Sequence, residues 1–370
     1  MKTKLKKTYN ILLRILILAA TYRFLYKKMF QDRDWHQQYN QFTGLLDKPG
    51  IKDFLFIVFL LMLVNWGIES QKWRYIIRKI EKVSFFRSVQ AVFAGVSISF
   101  FTPNRTGEYF GRAFILDKAS HVEGILITIL GSMCQLFVTI LTGTLAMAVF
   151  IPRFMGSSIF FSGHIYTGLV ILVVLMDLLL LFLLVNVQFL SVLRDKLLRS
   201  RLKRFRKHLA VFSGFQQHEM IYVIGLSFLR YLVFTTQFLL LLKIFSVTVP
   251  VFDCIIITSL IFFVMTIVPT VTLTELGVRN TAALYFFAIY YGHSTTLPDA
   301  VMIGILSATT LLWIINLAIP AVIGTMFVFR LKFFRRTPPP ALRSSAKCQV
   351  QNEKPHPRPL PQEGGECRDA

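Results

Sequence analysis

The chain has 370 residues, of which 54% are hydrophobic and only 16% charged, and 36 of them are phenylalanine. This composition argues against a soluble globular protein and favours a chain whose solvent is a lipid bilayer. The formal net charge of +22 would suit nucleic acid, but the Lys and Arg residues cluster in short segments between apolar runs. That pattern favours basic loops facing anionic lipid head groups, and no nucleic-acid partner is predicted.

Apolar runs of the roughly 20 residues that cross a bilayer recur along the chain as far as residue 330. The basic start, 1–7, precedes an apolar stretch that resembles a signal peptide. Arg14 interrupts that stretch and no clear cleavage site follows, so we interpret it as an uncleaved first helix. The predicted spanning helices are 9–25, 54–70, 122–150, 164–187, 220–243 and 301–329.

Two further apolar segments, 84–118 and 251–290, each contain a proline followed by polar and charged residues. Because basic loops face the cytoplasm, the first segment should begin and end on the cytoplasmic side and the second outside, with both termini cytoplasmic. The predicted fold is therefore an all-α polytopic protein of the cytoplasmic membrane, with about six spans and two re-entrant helical hairpins in an inverted repeat. The basic loops that set this topology are 2–7, 72–87, 194–207 and 330–336.

The predicted transmembrane domain covers 1–336, with inverted halves of roughly 1–150 and 164–330. Residues 337–370 are rich in proline and polar side chains and have no apolar periodicity, so we predict a disordered tail. A proline-rich ligand for a partner domain is the alternative for this tail.

The two interrupted segments share a pattern of Pro, then Glu, then Arg four residues after the Glu. We call the stretches that carry it, 103–112 and 269–279, the first and second proline elements. This spacing places Glu108 with Arg112, and Glu275 with Arg279, on one helical face. Thr106 or Thr274 is predicted to cap the following half-helix, whose positive end would attract a phosphate or carboxylate head group. Either the elements bind such a group, or each pair only neutralises itself and holds its hairpin in place.

Other polar residues fall inside predicted spans and give weaker signals. Asp177 is predicted either to couple transport to protonation or to form half of an interhelical pair, while Asn65 and Glu69 lie in the second helix. The run 71–74 contains Trp73 between basic residues, which is typical of an anchor at the membrane interface. No nucleotide-binding, metalloprotease or hydrolase motif is present, and no cofactor or metal is predicted.

The run from Trp73 through the first proline element, with the second element after it, resembles the lysylphosphatidylglycerol synthase transmembrane-region family, which includes the flippase-like domain. In that family, the membrane part of multiple peptide resistance factors is associated with moving aminoacylated phospholipids across the bilayer. Other members are linked to lipid-anchored sugars. The second element departs from the first in having Thr274 where the first has Gly107. The resemblance implies that the head-group path is lined by Pro103, Arg105, Gly107, Glu108, Arg112, Pro269, Glu275, Gly277 and Arg279.

Members that make aminoacyl lipids carry a soluble synthase domain, so lipid synthesis is not expected here. The main hypothesis is a translocase that moves a phospholipid or a lipid-linked polar head group between leaflets. The alternative is a membrane-embedded transferase acting on lipid-phosphate sugars or aminoacyl lipids, with Glu108 or Glu275 as general base. A third possibility is a scaffold that recruits partners through its basic loops and tail.

Overall fold

The structure, a computed structural model, describes residues 50–100, 102–154, 164–188, 210–269, 272–292 and 297–328. These residues form helices and turns and contain no strand. The helices are α1 (Ile51–Ile77), α2 (Phe85–Ser99), α3 (Gly107–Ala113), α4 (His121–Phe154), α5 (His164–Val185), α6 (Gln217–Ile244), α7 (Val251–Ile267), α8 (Thr272–Tyr290), α9 (Asp299–Trp313) and α10 (Ile319–Val328).

Five helical stretches in the described ranges are long and apolar enough to cross a bilayer. They are α1, α4, α5, α6 and the nearly continuous run Asp299–Val328, in which a π-helical turn, Ile314–Ala318, joins α9 to α10. Five of the six predicted spans are thereby located, and the sixth, 9–25, lies outside the described residues, as does the tail 337–370. The chain is a multi-pass membrane protein. Two shorter apolar helices, α2 and α7, precede the two prolines.

Both prolines interrupt helical structure as predicted. After α2, Pro103 opens a single 3₁₀ turn, in which Asn104 and Arg105 have φ angles of 50° and 57°. Residues other than glycine seldom adopt this left-handed conformation, and two in succession make a sharp change of direction. In the second segment, α7 ends at Ile267, Pro269 follows, and α8 begins at Thr272.

Each interrupted segment returns to the end of the bundle at which it began. Glu81, just before α2, accepts hydrogen bonds from the backbone N–H groups of Asp117, Lys118 and Ala119, just after α3, at 2.7 to 3.0 Å. Burial opposes ionisation of Glu81, but these donors outweigh it and hold the pKa of the carboxyl below its usual value.

The second segment closes in the same way at the opposite end of the bundle. The Tyr291 hydroxyl, just after α8, donates to the carbonyl oxygen of Thr248, just before α7, at 3.1 Å. At this end Arg153 of α4 also pairs with Asp253 of α7 at 2.8 Å. The two interrupted segments therefore enter the bundle from opposite ends.

Small residues allow the interrupted segments to pack closely. A Cβ atom on Gly111 of α3 would lie 2.6 Å from the Cα atom of Gly95 of α2, so these helices touch backbone to backbone. A Cβ atom on Gly324 of α10 would lie 2.0 Å from the carbonyl oxygen of Phe93. Close approach through small residues is how helices associate in lipid, where apolar side chains gain little by leaving the solvent.

Candidate functional site

The first proline element is capped by a different side chain from the one that the sequence predicts. The backbone N–H of Gly107, the first residue of α3, donates to Thr102 Oγ1 at 2.7 Å. Thr106 instead donates its hydroxyl to the Pro103 carbonyl oxygen, and Thr274 is already the third residue of α8. The predicted cap at Thr106 is therefore wrong, because the 3₁₀ turn brings the Thr102 hydroxyl, and not that of the adjacent Thr106, within hydrogen-bond distance of the Gly107 N–H.

Gly107 sits where no side chain fits. A Cβ atom there would lie 2.8 Å from both the Ile98 carbonyl oxygen and Thr102 Oγ1, whereas a Cβ atom on Gly277 in the second element would meet nothing within 4 Å. The two glycines that the resemblance marks are thus different in kind: Gly107 is required by packing and Gly277 is not.

We therefore expect Gly107→Ala to lower the free energy of unfolding by about 1 to 3 kcal/mol, because it overpacks a tight backbone contact. Gly277→Ala is the matched control, and it should be neutral or stabilising by up to about 1 kcal/mol, since it replaces glycine inside a helix. Thermal unfolding of the two purified variants in detergent measures the difference. Equal midpoints would contradict this account of Gly107.

Both predicted Glu–Arg pairs form. Arg112 donates to Glu108 within α3, and Arg279 Nη2 donates to Glu275 Oε1 within α8 at 2.7 Å. The pairs differ in their surroundings, because Arg112 is buried and also reaches a second carboxylate. Its Nη1 atom donates to Glu69 Oε1 of α1 at 2.7 Å.

Glu69 is the centre of a buried charge cluster. Besides Arg112, its carboxylate pairs with Lys72 Nζ at 2.7 Å and with Arg230 Nη1 of α6 at 2.9 Å. We call the five charged residues the Glu69 cluster: Glu69, Lys72, Glu108, Arg112 and Arg230. They come from α1, α3 and α6, and their three cations face two carboxylates.

Hydrogen bonds extend the Glu69 cluster to the π-helical turn. Arg230 Nε donates to Asn65 Oδ1 at 2.9 Å, and Asn65 Nδ2 donates to Asn316 Oδ1 at 3.2 Å. A π-helical turn inside an α-helix is rare and often marks a functional position. The polar network thus connects α1, α3 and α6 with the last long helical stretch.

The two proline elements face one cavity of about 510 Å³, which we call the turn cavity. Arg105 of the first element and Glu275 of the second both line it, as does Ser132 of α4. Arg105 also lies within electrostatic range of Glu108 and Arg230 of the Glu69 cluster. The remaining lining residues are Asn104, Tyr109, Ile129, Met133, Leu136, Met265, Thr266, Ile267, Val268 and Pro269.

The arginines of the two elements keep unused hydrogen-bond donors. The Nε atoms of Arg105, Arg112 and Arg279 are each buried and have no partner among the described residues. Arg105 also forms no direct ion pair within the described part of the chain. Buried donors on a cation without an acceptor are costly, and an anion with several oxygens is the ligand that satisfies them best.

The family model of the lysylphosphatidylglycerol synthase TM region matches residues 11–318. The chain belongs to this family. The match includes both proline elements, the Glu69 cluster and the turn cavity. Comparisons with curated proteins and with solved structures return no match.

The nine residues that the family resemblance marks fall into three groups in the structure. Arg105, Pro269 and Glu275 line the turn cavity. Glu108 and Arg112 belong to the Glu69 cluster, and Arg279 holds Glu275. The third group does not line the turn cavity, and its members shape the turns or lie at exposed positions. It contains Pro103, Gly107 and Gly277.

Asp177 lies apart from both features. Its side chain is buried, and Oδ2 accepts a hydrogen bond from Thr144 Oγ1 of α4 at 2.7 Å. An interhelical pair between α4 and α5, one of the two alternatives that the sequence leaves open, is therefore present.

The predicted interface anchor at 71–74 is wrong. Trp73 is fully buried and its Nε1 atom donates to Thr128 Oγ1 at 3.0 Å, while Lys72 is 1% exposed and pairs with Glu69. The helix α1 continues through this run to Ile77, so both side chains face the helices packed against α1 and not the head-group region.

Sequence reasoning also missed Arg230 and Asn316. Arg230 lies inside the predicted span 220–243, and an ionisable residue at that depth is a functional signal that could have identified it. Asn316 has no comparable signal, since no sequence pattern predicts the π-helical turn that brings it into contact with Asn65. Within the described residues, no group of three or more potential metal ligands was found.

Proposed function

We propose that this protein is a lipid translocase that moves a phospholipid, or another lipid with an anionic polar head group, between the leaflets of the cytoplasmic membrane. The observation that carries the proposal is the buried Nε donor of Arg105, which has no partner in the described residues and belongs to a residue that lines the turn cavity. A phosphate supplies several acceptor oxygens and a negative charge at once.

Charge balance supports an anionic guest. Around the turn cavity and the Glu69 cluster, five cations stand against three carboxylates: Lys72, Arg105, Arg112, Arg230 and Arg279 against Glu69, Glu108 and Glu275. An ionisable residue at membrane depth costs about 2.5 to 3.5 kcal/mol unless it is paired or hydrated. A phosphate bound between the elements would reduce this surplus of positive charge.

The proposed topology places both interrupted segments as re-entrant hairpins. The contacts of Glu81 and of Tyr291 support it, because each segment closes at the end of the bundle where it starts. With a first span at 9–25 and the basic loops in the cytoplasm beside anionic lipid, both termini are cytoplasmic and the two halves are inverted copies.

In this arrangement the head group occupies the turn cavity while the acyl chains stay in the surrounding lipid. Arg105 binds the phosphate, and the Glu69 cluster holds Arg112 and Arg230 next to it. Alternating access then follows from rocking one half against the other around the two hairpins, as in other inverted repeats.

The test uses the purified full-length protein in vesicles that contain an anionic phospholipid with a fluorescent acyl chain. A reagent that quenches only the outer leaflet should quench nearly all of the label when the protein is present, and about half in protein-free vesicles. Equal quenching in both preparations would contradict the proposed translocase function. Mass spectrometry of the same lipids, with sugar and aminoacyl donors added, covers the transferase alternative, which a new covalent product would favour.

A further inference from the structure

A second cavity, of about 190 Å³, lies between α4 and α5. Its walls are almost entirely aliphatic or aromatic, and the carboxyl of Asp177 lies in its lining. We call it the Asp177 cleft. Its residues on α5 recur every three or four positions from Tyr166 to Asp177, so the cleft follows about 16 Å of that helix at 1.5 Å per residue. The other lining residues are Thr144, Leu145, Met147, Ala148, Ile151, Leu169, Val170, Val173, Val174, Met176 and Phe263.

Only one of the two carboxyl oxygens of Asp177 has a hydrogen-bond partner among the described residues. Its side chain is 4% exposed, Oδ2 accepts the Thr144 hydroxyl, and Oδ1 is buried without a hydrogen-bond partner among the described residues. Asp177 also makes no ion pair within them. An apolar cleft that contains one carboxyl oxygen in need of a donor is unusual, because buried polar atoms are nearly always paired.

The groups that face Asp177 from the neighbouring helices are neutral. On its own helix, Tyr166 lies at the other end of the cleft, and its hydroxyl donates to the Ala148 carbonyl oxygen at 2.7 Å. From α4 comes Thr144 and from α7 comes Phe263. On α6, Tyr231 packs in the same apolar cluster as Leu184 of α5, and its hydroxyl shares a short hydrogen bond with Ser259. With no cation among these groups, a carboxylate at this position carries an uncompensated charge, and binding a proton removes it.

Asp177 lies in the interior of the apolar helix α5. It lies 13 residues from the start of the helix and 8 from its end, which correspond to about 20 Å and 12 Å. The cleft runs from this depth to the end of the bundle where α4 ends and α5 begins.

One helix connects the Asp177 cleft with the turn cavity. Phe263 of α7 lines the cleft. It packs closely on Gly143 of α4, where an added Cβ atom would lie 2.4 Å from the Cβ atom of Phe263. The stretch of α7 just beyond, from Met265 to Pro269, lines the turn cavity. The same helix therefore contributes to the lining of both cavities.

We propose that Asp177 is a proton-binding site that regulates the turn cavity. A proton binds Oδ1, the charge inside the α4–α5 contact is removed, and α7 transmits the altered packing to the Pro269 turn. The effect on lipid movement rests on the proposed function, whereas proton binding itself does not.

Infrared difference spectroscopy of the full-length protein tests proton binding directly. Between neutral and acidic buffer, the wild type should gain the high-frequency C=O band of a carboxylic acid in apolar surroundings. Asp177→Asn should lose that band. The control, Asp253→Asn, removes a carboxylate that is paired with Arg153 and should keep it. A band of equal intensity in Asp177→Asn and the wild type, or no such band in the wild type, would overturn the proposal.

The vesicle assay tests the coupling. Wild-type rates of lipid movement should differ between vesicles with and without a pH gradient, and the ratio of the two rates should fall to one in Asp177→Asn. A ratio unchanged from the wild type would overturn the regulatory role. If wild-type vesicles moved no lipid at all, the proposed function would fail while the infrared experiment would still decide whether Asp177 binds a proton.

Discussion

Glu69→Gln is expected to lower the free energy of unfolding by about 3 to 5 kcal/mol, the loss typical of removing one partner from a buried ion-pair network. The carboxylate of Glu69 accepts from Lys72, Arg112 and Arg230, and a neutral amide would leave two buried cations and the partly buried Arg230 with Glu108 alone. Thermal and denaturant unfolding of the purified variant measures the loss. The control is Asp299→Asn, an exposed position where we expect a change within about 0.5 kcal/mol.

A double variant separates the charge of Glu69 from its geometry. Glu69→Gln together with Lys72→Met removes one carboxylate and one cation, so the cluster keeps the wild-type excess of one positive charge. If the loss in the single variant comes from unbalanced charge, the double variant should recover most of the stability. Wild-type stability in the single variant would instead show that the charge of Glu69 contributes nothing to the free energy of unfolding.

The long helices could be predicted because their signal is contained in single stretches of sequence. A run of about 20 apolar residues has few alternatives to a span, and a proline with charged residues behind it interrupts a helix wherever the helix lies. The Glu–Arg pairs at a spacing of four are equally local, and both form. These features depend on residues within one or two helical turns of each other.

The Glu69 cluster could not be predicted in the same way, because its contacts join distant parts of the chain. Glu69 and Arg230 are 161 positions apart, and only the packing of α1 against α6 brings them together. In the sequence, Trp73 beside basic residues looks like an interface anchor. The structure contradicts this because α1 extends to Ile77 and the helix face that carries Trp73 is buried. The cap at Thr102 depends on the left-handed turn at Asn104 and Arg105, which no residue type there demands.

Arg105→Gln is expected to lower the protein-dependent rate of anionic phospholipid movement by about 10- to 100-fold. A hydrogen bond to a charged group contributes about 1.5 to 3 kcal/mol, and Arg105 supplies both the charge and the unpaired Nε donor at the turn cavity. Glutamine keeps a long polar side chain and the same backbone cost at a positive φ angle, so the turn itself should survive. Arg105→Lys keeps the charge but loses the planar fork, and its rate should be intermediate.

This substitution distinguishes a binding site from a scaffold. If the proline elements only hold their own hairpins in place, the residues that matter are the paired ones, Glu108 with Arg112 and Glu275 with Arg279, and Arg105 should be dispensable. Arg153→Gln is the matched control, because Arg153 pairs with Asp253 at one end of the bundle and does not line the turn cavity. Equal rates for Arg105→Gln and Arg153→Gln, with both proteins folded, would favour the scaffold. A loss confined to Arg105→Gln, without a lower unfolding temperature, would mean that the unpaired guanidinium contacts the lipid head group.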